Sequence, residues 1–280
     1  MNAFSIPAIA INPALHPANG AREFVRLPEM ITAFQMPLRA VGADAAALAE
    51  ARSFLEELHT AARCHAFGGD QPLCRDLLTL NPHVLPLVHE TLGEGEVAAV
   101  IEQPTMRLQE TGFPGFWHVR NFDATGALAA DVIEVAPVPA AVPEAALLGS
   151  GSRPGDKVAG PVARSVRALF TELLAASGRA DGGATHVVNL TLLPVTRDDI
   201  SWLVGTLGIG PVTLYSRNFG NCRITSTGLR HAWWVQYFNG MNSMILNTIE
   251  VTPVPDAALA APADFKDSLD RLGDWLGSRE

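Results

Sequence analysis

The sequence predicts an α+β fold made by internal duplication, two β-α-β-β-β-β-α units whose antiparallel sheets are covered by helices. Three observations lead there. In each half a short strand, a helix and four strand-like segments follow one another in the same order. Residues also recur in register. Leu92-Gly93-x-Gly95 matches Leu207-Gly208-x-Gly210, 115 positions on, while Trp117 and Glu134-Val135 match Trp233 and Glu250-Val251, 116 positions on. Phe122 pairs in the same way with Phe238, and Pro137-Val138-Pro139 with Pro253-Val254-Pro255. Ordered matches across a whole unit are the signature of a repeat. Finally, the four strands are joined by short turns, which favours an antiparallel meander because parallel neighbours need long crossovers.

Residues 1–43 are punctuated by proline and read as an extended N-terminal arm, with one short strand near Met30–Met36. The first unit, 44–135, opens on a helix in which Ala45, Leu48, Ala51, Phe54, Leu55, Leu58 and Ala62 recur at three- and four-residue spacings. A short strand at Asp76–Leu80 and a helix at His83–Leu92 follow. The four strands are placed at Val97–Glu102, Met106–Thr111, Phe116–Phe122 and Ala129–Val135. Residues 136–161, rich in Pro and Gly, read as a linker.

The second unit, 162–280, repeats the order. Helices are expected at Val162–Ala176 and Arg197–Leu207, around a strand at His186–Leu192. Four strands follow at Val212–Arg217, Cys222–Thr227, Ala232–Phe238 and Met244–Val251. A closing helix, Ala263–Leu276, carries Phe265, Leu269, Leu272, Trp275 and Leu276 on one stripe.

Charge and cysteine usage narrow the function classes. With 29 acidic against 20 basic side chains, the formal net charge is -9, which argues against nucleic acid as the partner. No apolar run reaches the roughly 18 residues that span a bilayer. Three cysteines without CxxC spacing point to a reducing cytoplasm rather than a disulfide framework. No GxSxG, HExxH, P-loop or correctly placed GxGxxG is present, so nothing demands an enzyme or a cofactor.

The candidate binding region lies in the second unit. Between Ile200 and Ile249 stand Arg217, Arg223 and Arg230 without any Asp or Glu, a locally basic stretch in an acidic chain. Arg223 is open to two readings, a ligand-binding group or a structural ion pair with Glu134 or Glu250. Alternation sends Trp233, Val235 and Tyr237 to one side of their strand and Trp234, Gln236 and Phe238 to the other. Aromatic and Arg side chains together have the composition of a binding hot spot. Arg217, Asn221, Arg223, Trp234, Gln236, Tyr237 and Asn239 are therefore the candidate partner-binding residues, with Trp234 as the anchor. The first unit diverges here, with His118, Arg120 and Asn121 where the second has Trp234, Gln236 and Tyr237.

Metal-binding candidates are weaker. Cys222 is either a small apolar core residue, as its counterpart Met106 suggests, or a thiol activated by Arg217 and Arg223. Cys64-His65, Cys74, His83 and His89 have spacings that match no zinc or iron–sulfur pattern.

The strings Gly220-Asn221-Cys222-Arg223-Ile224-Thr225-Ser226-Thr227, Trp233-Trp234-Val235-Gln236-Tyr237-Phe238-Asn239 and Ile245-Leu246-Asn247-Thr248-Ile249-Glu250-Val251 resemble the HupH/HoxQ/HyaF family. These are accessory proteins for maturation of uptake [NiFe] hydrogenases. The resemblance is densest from Asn218 to Ser268 and marks 162–280 as the unit similar to the family's C-terminal region. It implies a cytoplasmic chaperone rather than a catalyst. The client it implies is the hydrogenase small-subunit precursor, which carries iron–sulfur clusters and a twin-arginine leader, held before export while its clusters are completed or protected. Other maturation proteins are further implied partners. A metal or iron–sulfur carrier using Cys222, or a scaffold joining maturation factors, are the alternatives.

Overall fold

In the computed structural model, which describes residues 44–102, 105–150, 163–180, 185–217 and 221–278, ten strands join into one antiparallel sheet. The first half supplies α1 (Ala45–Cys64), β1 (Leu73–Asp76), α2 (Leu85–Leu92), β2 (Val97–Ile101), β3 (Thr105–Glu110), β4 (Phe116–Phe122) and β5 (Leu128–Val135). Helix α3 (Ala141–Gly149) follows. The second half supplies α4 (Arg164–Ser177), β6 (His186–Asn189), α5 (Arg197–Leu207), β7 (Val212–Ser216), β8 (Asn221–Ser226), β9 (Ala232–Phe238) and β10 (Met244–Val251). A 3-10 turn at Asp256–Ala258 leads to α6 (Pro262–Gly277). The order across the sheet is β1-β5-β4-β3-β2-β7-β8-β9-β10-β6. Each half is thus a four-stranded meander whose short first strand returns to the outer edge.

The halves meet along β2 and β7. Val97 faces Ser216, Ala99 faces Leu214 and Ile101 faces Val212, so the pairing reads alike from either strand. Flanking it, Glu102 N–H bonds Pro211 O at 3.0 Å and Arg217 N–H bonds Glu96 O at 3.2 Å. The four-strand pattern expected in each half is therefore present, within one continuous sheet.

Strand alternation divides the side chains between two faces. On one face α1, α2 and α6 enclose Phe116, Ile133 and Val135, while α4 and α5 enclose Trp234, Ile249 and Val251. On the other face a single core crosses the β2–β7 seam, from Trp117 and Val119 to Ile224, Trp233 and Val235. Val142 and Ala145 of α3 and Ala258 of the 3-10 turn close it. Trp117 and Trp233 hold matching places: each indole N–H bonds a carbonyl just past the last strand, Ala136 at 3.1 Å and Thr252 at 3.0 Å. Glu134 stands opposite Trp117, and Glu250 opposite Trp233.

Four expectations need correction. The segment 136–161 is not all linker, because α3 forms within it and buries Val142 and Ala145; the apolar side chains of Ala141–Leu148 have a core to meet. Strand β1 spans Leu73–Asp76 instead of Asp76–Leu80. There Asp76 Oδ1 accepts from Leu78 N–H at 2.9 Å, and this side-chain turn ends the strand. Strand β6 likewise ends at Asn189, whose Oδ1 accepts from Thr191 N–H at 3.0 Å. Helix α6 covers the first half rather than its own: Phe265 and Leu272 join that core, and Phe265 stacks on Phe67 at 4.0 Å. The expected arm, 1–43, and its strand lie outside the described residues.

The recurring Leu-Gly-x-Gly has a steric basis. Gly93 and Gly208 end α2 and α5 with φ of 61° and 73°, the left-handed region that side chains resist. Two residues on, a Cβ on Gly95 would lie 2.2 Å from Thr111 O, and one on Gly210 would lie 2.3 Å from Ser226 Oγ. Substitution Gly95→Ala should therefore destabilise the fold by about 1–3 kcal/mol through overpacking. Gly240→Ala, with nothing within 4 Å of the added methyl, should melt near wild type. Equal melting temperatures for the two variants would contradict this steric reading.

Candidate functional site

The structure separates the seven residues singled out as binding candidates. Asn221, Arg223, Trp234 and Gln236 share the helix-bearing face, with Arg217 just beyond the end of β7. Tyr237 is on the opposite face beside Cys222, and Asn239 sits in the β9–β10 turn, where its Oδ1 accepts from Met241 and Ser243 N–H, each at 2.9 Å. Trp234 is no surface anchor: it is 3% exposed and packs with Leu169, Leu173, Leu203 and Leu207 of α4 and α5. Gln236 is equally buried. Sequence alternation placed both side chains on the correct face but could not show that the unit's own helices reach Trp234.

Among the described residues, the strip between the two helix groups is left uncovered by helices on that face. Across β3, β2, β7 and β8 it carries Arg107, Val100, Thr213, Tyr215 and Arg223, all half-buried or exposed. Two arginines recur at equivalent strand positions with equivalent partners. The Arg107 guanidinium lies 5.4 Å from the Phe122 ring centre, and that of Arg223 lies 5.7 Å from Phe238. Arg223 also donates to Gln236 Oε1, at 2.6 and 3.2 Å. The carboxylates considered as its partners face away: Glu134 accepts from Ala140 N–H at 2.8 Å and Glu250 from Thr248 Oγ1 at 3.1 Å. Arg120, opposite Arg107 on β4, adds a third cation. Planar guanidinium groups in a half-dry setting are suited to carboxylate recognition.

At the first-half end of the strip stands a polar cluster that sequence spacing did not assemble. His118 Nε2 lies 2.5 Å from Asp131 Oδ1, and the rings of His89 and His118 are 4.4 Å apart, tilted by 43°. One donor atom from each of His89, His118 and Asp131 falls within 4.8 Å of the other two. Asp131 is buried and the histidines are half-buried. Burial pushes the pKa of both imidazoles below the usual histidine value; for His118 the bond to Asp131 partly opposes this. His89 Nε2 is buried without a hydrogen-bond partner. The available signal was the divergence of the halves, in which His118 replaces Trp234. Cys64 and Cys74, once considered with His89, are both exposed and lie outside this cluster.

Cys222 packs with Ile224 and Val235 in the seam core and is 4% exposed. Burial pushes its thiol up to about 12, against a smaller opposing effect from its hydrogen bond with Tyr237. Activation by Arg217 and Arg223 is not what the geometry provides, because Arg223 points to the other face. Among the described residues no helix is long and apolar enough to cross a membrane.

Residues 48–147 and 164–278 match the family described as the HupH hydrogenase expression protein, C-terminal conserved region. The chain is 38% identical over 279 residues to the hydrogenase expression/formation protein HupH of Rhodobacter capsulatus, covering 98% of this chain and 97% of that one. It is 36% identical over 292 residues to the hydrogenase expression/formation protein HoxQ of Cupriavidus necator, covering 99% and 100% respectively. With the hydrogenase-1 operon protein HyaF of Escherichia coli it shares 33% identity over 213 residues, 73% of each chain.

The thiols offer a direct check on this geometry. At pH 8 an aromatic disulfide reagent should titrate the exposed Cys64 and Cys74 in the native protein and reach Cys222 only after denaturation. Rapid native reaction of all three would show that Cys222 is accessible and would overturn its placement in the seam core.

Proposed function

This chain belongs to the HupH family of hydrogenase expression proteins, and on that premise we propose that it is an accessory chaperone acting on a hydrogenase small-subunit precursor. In this reading it binds the iron–sulfur subunit in the cytoplasm before export, holds it while its clusters are assembled or protected, and catalyses nothing itself. Other maturation proteins are its further partners. The observation that carries the reading is the strip of sheet between the two helix groups, where the half-buried Tyr215 stands beside Arg223 and Arg107 and Arg120 line the strip two and three strands away. Arginine beside an aromatic ring gives both charge complementarity and low-entropy contact area, the usual composition of a protein-binding hot spot. Of the sequence candidates, Arg217, Asn221 and Arg223 remain as contact residues, with Gln236 holding Arg223 from the neighbouring strand and Trp234 in the core beside them. The surrounding body, of net charge -9, would attract a basic leader over longer range.

We also read the two halves as products of a duplication, units 44–135 and 162–280 joined through 136–161. The symmetric β2–β7 register supports this, as do the matching places of Trp117 and Trp233 and the two segments of the family match. The carrier alternative finds no support in Cys222, which is buried and whose thiol pKa that burial pushes up.

The test is affinity of the purified chain for purified precursor. Arg107→Glu and Arg223→Ala, each first shown to be folded by circular dichroism, should weaken binding at least ten-fold. Arg63→Glu, an exposed charge reversal at the end of α1, should not. Wild-type affinity in both folded strip variants, or no capture by the wild type, would refute the proposal.

A further inference from the structure

We propose that His89, His118 and Asp131 form a binding site for one divalent first-row transition ion, of the zinc or cobalt type. The donors converge from three elements, His89 from α2, His118 from β4 and Asp131 from β5. Their donor atoms already lie within 4.8 Å of one another, before any ion draws them in. The N···O contact between His118 and Asp131, now 2.5 Å, needs to open only to about 3.3 Å for both atoms to share a tetrahedral zinc-type ion. The ion would replace the direct Nε2···Oδ1 contact, and the neutral His118 ring would then carry its proton on Nδ1.

Two further observations separate this cluster from ordinary packing. His89 Nε2 is buried and bonded to nothing, which is costly for a polar atom and is resolved by a ligand. The second half does the same architectural work without these groups. Val204 stands at the place of His89, Trp234 at that of His118 and Asn247 at that of Asp131. Val204 and Trp234 pack there as part of a hydrophobic core. Two imidazoles and a carboxylate are therefore not what this position in the fold requires.

The donor set selects the ion. Imidazole nitrogen suits zinc, cobalt, iron and nickel, whereas magnesium and calcium take oxygen ligands. Burial disfavours the charged form of both imidazoles, and the uncharged form is the one that ligates. Three protein donors leave a fourth tetrahedral position open, unlike a closed structural site. The neighbouring Arg120 charge, set against the single carboxylate, makes the site weaker than a structural zinc site.

The experiment is a titration of chelator-treated protein with Co2+, read by visible absorption, followed by competition with Zn2+ and with Mg2+ as control. Wild type should bind one equivalent with the intense bands of a low-coordinate ion and no thiolate charge-transfer band. Zn2+ should displace it and Mg2+ should not. Asp131→Asn and His89→Gln, folded by circular dichroism, should each weaken Co2+ binding at least ten-fold, and His118→Gln serves if either fails to fold. Equal affinity in folded variants, a thiolate band, or only the weak spectrum of hydrated Co2+ would overturn the proposal. None of these readouts involves the hydrogenase precursor, so the result stands apart from the chaperone reading.

Discussion

Everything else in the molecule is organised around the antiparallel pairing of β2 with β7. This one ladder turns two meanders into a ten-stranded sheet and sets which residues face which side. Its register cannot slip by one residue, because side chains alternate and a single step would exchange the faces of a strand. Such a step would carry Ala99 or Leu214 out of the seam core and bring Val100 or Thr213 into it. With the register held, Trp117 and Trp233 lie in one shared core under α3, and the other five helices lie on the opposite face. Burial of a large apolar side chain contributes about 1.5–3 kcal/mol, so the shared core binds the halves together strongly. Helix α6 adds a second tie, running from the end of the second half back to α1.

A consequence of this arrangement is a strip of sheet left between two groups of helices. The flanking positions are filled in two different ways. In the second half Trp234 and Val204 complete a hydrophobic core, and the row Arg223, Gln236 and Asn247 runs beside it. In the first half the corresponding places hold His118, His89 and the row Arg107, Arg120 and Asp131. One flank is dry and the other polar. The polar flank has the buried carboxylate and the unsatisfied imidazole, groups that destabilise a fold unless something binds them.

Much of the fold was legible because its signals are local. The period of α1, the Gly stops after α2 and α5, and the strands β4, β9 and β10 are all written in short stretches of sequence. What was not legible depends on distant contact. The reach of α4 and α5 over Trp234 decides that this indole is core, and nothing within β9 reveals it. Likewise α3 is a short apolar helix among Pro and Gly, stabilised by the seam that only β2–β7 pairing creates. The His89–His118–Asp131 cluster spans 43 positions of sequence, with donors on a helix and two strands, so no spacing rule could collect it. Only the departure of His118 from its Trp234 counterpart pointed there.

The central claim is that the Arg-lined strip is where a client protein lies. Hydroxyl-radical footprinting of the chain alone and in complex with hydrogenase small-subunit precursor tests it at side-chain resolution. Tyr215, Phe122 and Phe238 flank or floor the strip and are half-buried, so they are oxidised in the free protein. Met241, exposed in the β9–β10 turn, is the internal control. The account predicts protection of the three aromatic rings with Met241 unchanged. Protection confined to the edge strands β1 and β6, with these rings as reactive as before, would contradict it.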